Sequence, residues 1–323
     1  MTPILQIQNL TTSFKTELGF VRAVNDISFN IEKGEITGLV GESGSGKSVT
    51  SFSIMRLLPR HNSRIDEGKI IFGDTDLLSI PEKEMVGIRG KEISMIFQEP
   101  MTSLNPVFTI GDQIGEVFRN HTTLDKKAIN ARTIELLDRV GIPRAKEIVN
   151  DYPHQLSGGM RQRVMIAMAI ALKPKILIAD EPTTALDVTI QAQILELIRG
   201  LAKEDDMAVL FISHNLGVIA ELCQKVIVMY SGQFVEMADT AGIFKNPQHP
   251  YTKNLLDCIP RIGMGNRKLN YIEGTVPHPA DKLIGCRFQP RCYAAQEKCA
   301  KMKPELIEVR EGHYCRCFHE NKE

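Results

Sequence analysis

"GEITGLVGESGSGKSVTSFSIMRLL", Gly34 to Leu58, decides how this chain folds. It opens as a short apolar strand ended by glycine at Gly41, and it closes on apolar residues at helical spacing up to Pro59. Between them, "GESGSGKS" (Gly41 to Ser48) satisfies G-x-x-x-x-G-K-[ST] at every position. Successive backbone N–H groups in such a loop form a concave anion nest, and glycines let the backbone approach a phosphate without Cβ clashes. The helix that follows adds its positive N-terminal end. Lys47 is placed to reach β and γ phosphates, and the Ser48 hydroxyl to ligate Mg²⁺.

Outward from this loop, strands and helices alternate. "ILQIQNLTTSF" and "VRAVNDISFNI" precede it as strands, and "EISMIFQ", "KILIAD" and "MAVLFISH" follow as buried-strand runs. The stretch from Ile110 to Val149 is helical, as is "IQAQILELIRGLAKE", and "KVIVMYSGQFVEMA" is a hairpin turned at Ser231-Gly232. This rhythm predicts an α/β fold with a mostly parallel sheet. After Gly242 prolines accumulate and the rhythm is lost, so an appended C-terminal segment is expected there. With Lys plus Arg and Asp plus Glu equal at 39 each, no global charge recruits nucleic acid. The N-terminus has no signal-peptide pattern, and the longest apolar runs fall short of the ~20 residues a spanning helix needs.

Two further features carry chemistry. "KILIADEP" sets Asp180 and Glu181 where an apolar strand runs out, the end that lines the ligand crevice of an open α/β sheet. Asp180 is the candidate Mg²⁺ ligand and Glu181 the candidate general base that polarises a water. "LSGGMRQR" begins another helix with a capping Ser157 and with Gly158 and Gly159 leaving backbone donors open. The residues alone leave two readings of it: an ordinary capped helix, or a second phosphate site without a lysine.

In order, "GESGSGKS", "FQEP", "LSGGMRQR", "ILIADEP", "TALD" and "ISH" resemble the motif set of ATP-binding-cassette ATPases. The resemblance implies a P-loop ABC ATPase core with a helical subdomain and a small Cys-rich C-terminal extension. The core is expected over 1–98 and 165–241, with an N-terminal antiparallel β region, the helical subdomain over 99–164 and the extension over 242–323. It implies that Gly41, Glu42, Ser43, Gly44, Ser45, Gly46, Lys47, Ser48 and Val49 contact ATP and Mg²⁺ together with Gln98 and Asp180. Phe14 would stack on adenine, and Glu181, His214 and Gln98 would serve hydrolysis. Ser157, Gly158, Gly159 and Asp187 would meet the ATP of a second ABC ATPase subunit packed head to tail.

"QEPMTSLNP", "TTALDVTIQAQIL", "NPQHPYTKNLL" and "GCRFQPRC" are similar to the ATP-binding subunits of bacterial dipeptide and oligopeptide importers, a group that includes nickel importers. That resemblance implies two transmembrane permease subunits, an extracytoplasmic solute-binding protein, a related ATPase as dimer partner, and peripheral attachment at the cytoplasmic face of the inner membrane. A non-transport ABC ATPase acting on ribosomes or DNA is the other reading, and neither a second cassette nor a basic excess supports it.

Five of the seven cysteines, Cys286, Cys292, Cys299, Cys315 and Cys317, end the chain without a C-x₂-C knuckle. Four thiolates are the ligand set of a [4Fe–4S] cluster, with zinc as the alternative metal. Likeness to the importer group makes Cys286, Cys292, Cys299 and Cys317 the four ligands, with Cys315 the extra thiol and alternative. His313 and His319 are fallback ligands.

Overall fold

The computed structural model describes residues 3–17, 19–98, 103–184, 186–259, 271–278, 280–281 and 284–318. The expectations on His319, on Ala185 of "TALD" and on Glu99 to Thr102 of "QEPMTSLNP" lie outside them. The chain divides into two units, Met1–Leu78 with Phe211–Glu323, and Ser79–Leu210.

In the first unit, Leu5 and Ile7 are buried on one face of β1 (Leu5–Thr16), and Leu10 is buried beyond a register shift that follows Ile7. β1 pairs antiparallel with β2 (Gly19–Ile31) and with β4 (Ser63–Phe72), and β5 (Thr75–Asp76) completes a sheet of order β2-β1-β4-β5. No strand is read from the sequence over 63–72. The apolar residues of "SRIDEGKIIF" crowd at its C-terminal end, so pairing with β1 and not local pattern makes it a strand.

All five residues of β3 (Ile36–Val40) are buried, and β3 lies parallel to β9 (Lys225–Tyr230). Ser231 and Gly232, both at positive φ (44° and 79°), turn β9 into antiparallel β10 (Gln233–Asp239). β12 (His313–Cys315) then adds to β10, with Cys315 opposite Glu236, and β11 (Ile307–Arg310) adds to β12. The C-terminal segment thus extends the sheet as well as trailing from it. Buried Glu236 ties the join: its carboxylate accepts the backbone N–H of Gln248 (2.6 Å) and of His249 (2.9 Å), and it meets His313 Nε2 at 2.7 Å.

In the second unit, β6 (Ile93–Ile96) and β7 (Ile176–Asp180) run parallel and are wholly buried. Thr109 and Asp125 cap the helices Ile110–His121 and Lys126–Arg139 through Asp112 N and Ala128 N. Arg139 ends its helix on Glu204 (2.9 Å) and Asp205 (2.7 Å), where the helix Val188–Glu204 stops. β8 (Ala208–Ser213) carries the chain back into the first unit. Among the described residues, no helix is long and apolar enough to cross a membrane.

Candidate functional site

The phosphate loop lies between β3 and the helix Lys47–Met55. Gly41 admits no side chain, because a Cβ there would collide with the Met229 carbonyl oxygen. Gly46 holds φ +107°, and its Cβ would stand 2.8 Å from Ala23 O. Lys47 is buried and its Nζ donates to the carbonyls of Gly41 (2.8 Å) and Glu42 (3.0 Å), while Ser43 and Gly44 face solvent. The Glu42 N–H donates to Tyr251 Oη at 2.9 Å, and its carboxylate takes both ends of the Arg291 guanidinium. Sequence reasoning missed Tyr251 and Arg291, which lie 209 and 249 positions from Glu42 and carry no local signal.

His214, at the end of β8 in the same unit, is exposed. The backbone on both sides of it is held: Asn215 N donates to Ser213 Oγ (3.0 Å), and Asn215 Oδ1 caps the helix Leu216–Leu222. Phe14 sits half-buried in β1 opposite Val21.

In the second unit, Asp180 is buried at the end of β7 and Glu181 follows at φ +48°, a left-handed backbone at a non-glycine residue. Such a conformation costs on the order of 1–3 kcal/mol and persists where the surroundings over-determine it. Here they do. Glu181 Oε2 accepts from Gln98 Nε2 (3.1 Å) and from Thr184 Oγ1 (3.0 Å), and Glu181 O accepts Thr184 N (3.1 Å). Two neutral donors on one oxygen orient the carboxylate.

Ser157 caps the helix Gly158–Ile170, its Oγ accepting from Met160 N, and Ser157 and Gly158 are exposed. A Cβ on Gly159 would stand 2.9 Å from Ile190 Cγ2. Ile190 is itself placed by Asp187, whose Oδ1 accepts Ile190 N at 2.9 Å to cap the helix Val188–Glu204. Two capped helix N-termini therefore meet at Gly159 and Ile190. Gly159→Val should force them apart and lower the stability of the chain by about 1–3 kcal/mol, as read by denaturant unfolding.

Cys286, Cys292, Cys299 and Cys317 line one small cavity with His249, Phe288, Gln289, Pro304 and Phe318. The Cys299 sulfur accepts the backbone N–H of Gln296 at 3.5 Å. Burial pushes the Cys286 thiol up to about 11, and the other three cysteines add to the shift. Cys315 does not line this cavity; it is buried in β12 across from Glu236. His313 is engaged by Glu236. Cys223 is buried beside β3, with its thiol pushed up to about 12 by desolvation.

A phosphate loop, a strand-end carboxylate pair and a second glycine-led helix define an ATPase of the ATP-binding-cassette class. Residues 24–184 match the family described as "ABC transporter", and residues 235–299 match "Oligopeptide/dipeptide transporter, C-terminal region". The chain is 52% identical over 318 residues to the oligopeptide transport ATP-binding protein AppD of Bacillus subtilis (strain 168), covering 98% of this chain and 97% of that protein. It is 48% identical to the dipeptide transport ATP-binding protein DppD of the same organism, over 98% of this chain and 95% of that protein. Its fold is similar to the dimeric post-hydrolysis structure of the cassette MJ0796 bound to ADP and Pi, with a TM-score of 0.66 and 27% identity over 73% of this chain and 98% of that one. The chain belongs to the ATP-binding subunits of the peptide-import ABC transporters.

Proposed function

We infer that this chain hydrolyses ATP to power import of di- and oligopeptides through partner permeases. The observation that carries this is the oriented Glu181 carboxylate, within a chain about half identical along its whole length to oligopeptide and dipeptide transport subunits. In this reading the backbone N–H groups of 42–48, with Lys47, hold the phosphates, Ser48 and Asp180 hold Mg²⁺, and Phe14 stacks on adenine. Glu181 takes the proton of the attacking water, Gln98 positions that water, and His214 contacts the γ-phosphate. No covalent intermediate is needed, because positioning and charge stabilisation supply the acceleration. The exposed Ser157 and Gly158, with Gly159 and Asp187, serve the ATP of a second subunit, which we take to be a related chain and not a copy.

The permeases would dock on the second unit. A groove lined by Met95, Phe97, Leu104, Val117, Met165 and Met168 opens there, and Val107 and Phe108 are 70% and 52% exposed. The remaining partners are an extracytoplasmic solute-binding protein and the cytoplasmic face of the membrane, where the chain would sit peripherally.

A [4Fe–4S] cluster would be held by Cys286, Cys292, Cys299 and Cys317. Their shared cavity and the Gln296 N–H that donates to Cys299 Sγ support it, since hydrogen bonds to sulfur are among the ways proteins tune such clusters. Zinc held by the same four thiols is the alternative. Among the described residues no group of three or more His, Cys, Asp or Glu side chains is arranged to hold a metal ion. When bound, the cluster would be a structural staple for the C-terminal segment.

The test is uptake. Proteoliposomes carrying this chain with its cognate permeases and binding protein should import a labelled dipeptide only with ATP inside, and Lys47→Ala should abolish both uptake and ATP binding. Nickel uptake without peptide uptake would overturn the substrate assignment.

A further inference from the structure

We propose that Arg291 and Tyr251 are positioning residues for nucleotide binding, through which the C-terminal segment holds the phosphate loop in shape. The inference rests on the phosphate-loop reading above and concerns residues outside that loop. Glu42, the second residue of the loop, is gripped at three points. Its N–H donates to Tyr251 Oη (2.9 Å), its carbonyl accepts from Lys47 Nζ (3.0 Å), and its carboxylate takes Arg291 in a fork, Nη1 to Oε2 at 2.7 Å and Nη2 to Oε1 at 3.0 Å.

The fork is not a rim contact. The Arg291 side chain is 4% exposed and that of Glu42 29%. The other guanidinium bonds go to the carbonyls of Glu273 (2.8 Å) and Ile272 (3.3 Å) and to Tyr230 Oη (3.4 Å). Tyr251 is equally constrained, because Tyr230, Tyr251 and Phe288 pack with ring centroids 4.6, 5.2 and 5.3 Å apart. A buried ion pair is by itself weak evidence of a gain in stability. This one ends on the residue whose carbonyl holds Lys47, so its consequence falls on the loop. Tyr251 and Arg291 both lie in 235–299, the stretch matching the oligopeptide/dipeptide C-terminal region, and outside the 24–184 match to the ABC transporter family. The brace therefore joins the part of the chain specific to peptide importers to the part common to cassettes. Arg291 also precedes Cys292, so the cysteine cavity is one residue from a side chain that grips the phosphate loop.

The test is equilibrium binding of ATP to the full chain, with steady-state hydrolysis alongside. Arg291→Met should weaken ATP binding about tenfold, the worth of one charge-assisted hydrogen-bond pair, with kcat at saturating ATP within about twofold. Arg291→Lys keeps the charge and loses the fork, and should fall between the two. Tyr251→Phe keeps the ring packing and should weaken binding by a smaller factor. In a double-mutant cycle, Arg291→Met should cost little on a Glu42→Gln background, a coupling in nucleotide affinity that mere destabilisation would not produce. Should Arg291→Met fail to fold, Arg291→Lys and the cycle built on it carry the same comparison. Unchanged affinity in the Arg291 variants, or equal losses on both backgrounds, overturns the inference. Lys47→Ala separates the two readings: if it too binds ATP normally, the phosphate-loop assignment is what has failed.

Discussion

Glu181→Gln should bind ATP as the native chain does while its hydrolysis falls by about 10²–10⁴-fold, the usual worth of a general base. Glutamine has the same shape, and its amide oxygen still accepts from Gln98 Nε2 and Thr184 Oγ1, so the hydrogen bonds at 3.1 and 3.0 Å and the left-handed backbone at φ +48° are retained. Only the ability to take a proton from water is lost. With binding intact and hydrolysis blocked, the nucleotide-bound dimer should accumulate, visible as an ATP-dependent shift in size-exclusion chromatography. Hydrolysis within tenfold of the native rate would move the general base elsewhere. The cheaper change Gln98→Ala removes one donor from the carboxylate and should cost less, because Thr184 remains.

Purified without oxygen, the chain should carry about four iron and four sulfide, the content of one [4Fe–4S] cluster. Serine at Cys286, Cys292, Cys299 or Cys317 should strip that content, because each side chain lines the shared cavity. Serine at Cys315, Cys223 or Cys258 should leave it in place, since none of these three lines it. Iron and acid-labile sulfide assays with the visible spectrum read this directly, without any assay of activity. Stoichiometric zinc with no sulfide would overturn the cluster. Loss of iron in Cys315→Ser with retention in Cys317→Ser would transfer the fourth ligand to the strand. Removing the metal should also loosen the C-terminal segment, since metal-binding free energy becomes folding free energy in so small a structure.

Much of this was legible along the chain because its causes are local. A strand, a glycine loop and a helix within 25 residues need no distant partner to declare themselves, and the hydrogen bonds that close the loop run between neighbours such as Lys47, Gly41 and Glu42. The caps are local as well: Ser157 bonds Met160 N and Asp187 bonds Ile190 N, each three residues on. The hairpin at Ser231-Gly232 follows from a turn that needs positive φ at both positions.

Folding alone decided what depends on residues brought together from far apart. β4 is a strand because β1 pairs with it, and β12 because β10 offers an edge. Cys315 and Cys317, two positions apart, are separated by the end of β12. Up to that end the sheet dictates where side chains go, and beyond it Cys317 reaches the cavity. The grip of Gln98 on Glu181 spans 83 positions and that of Arg291 on Glu42 spans 249. Neither leaves a periodicity or a spacing in the sequence, because each is made only when the chain between its partners has folded and the loss of chain entropy has been offset by burial.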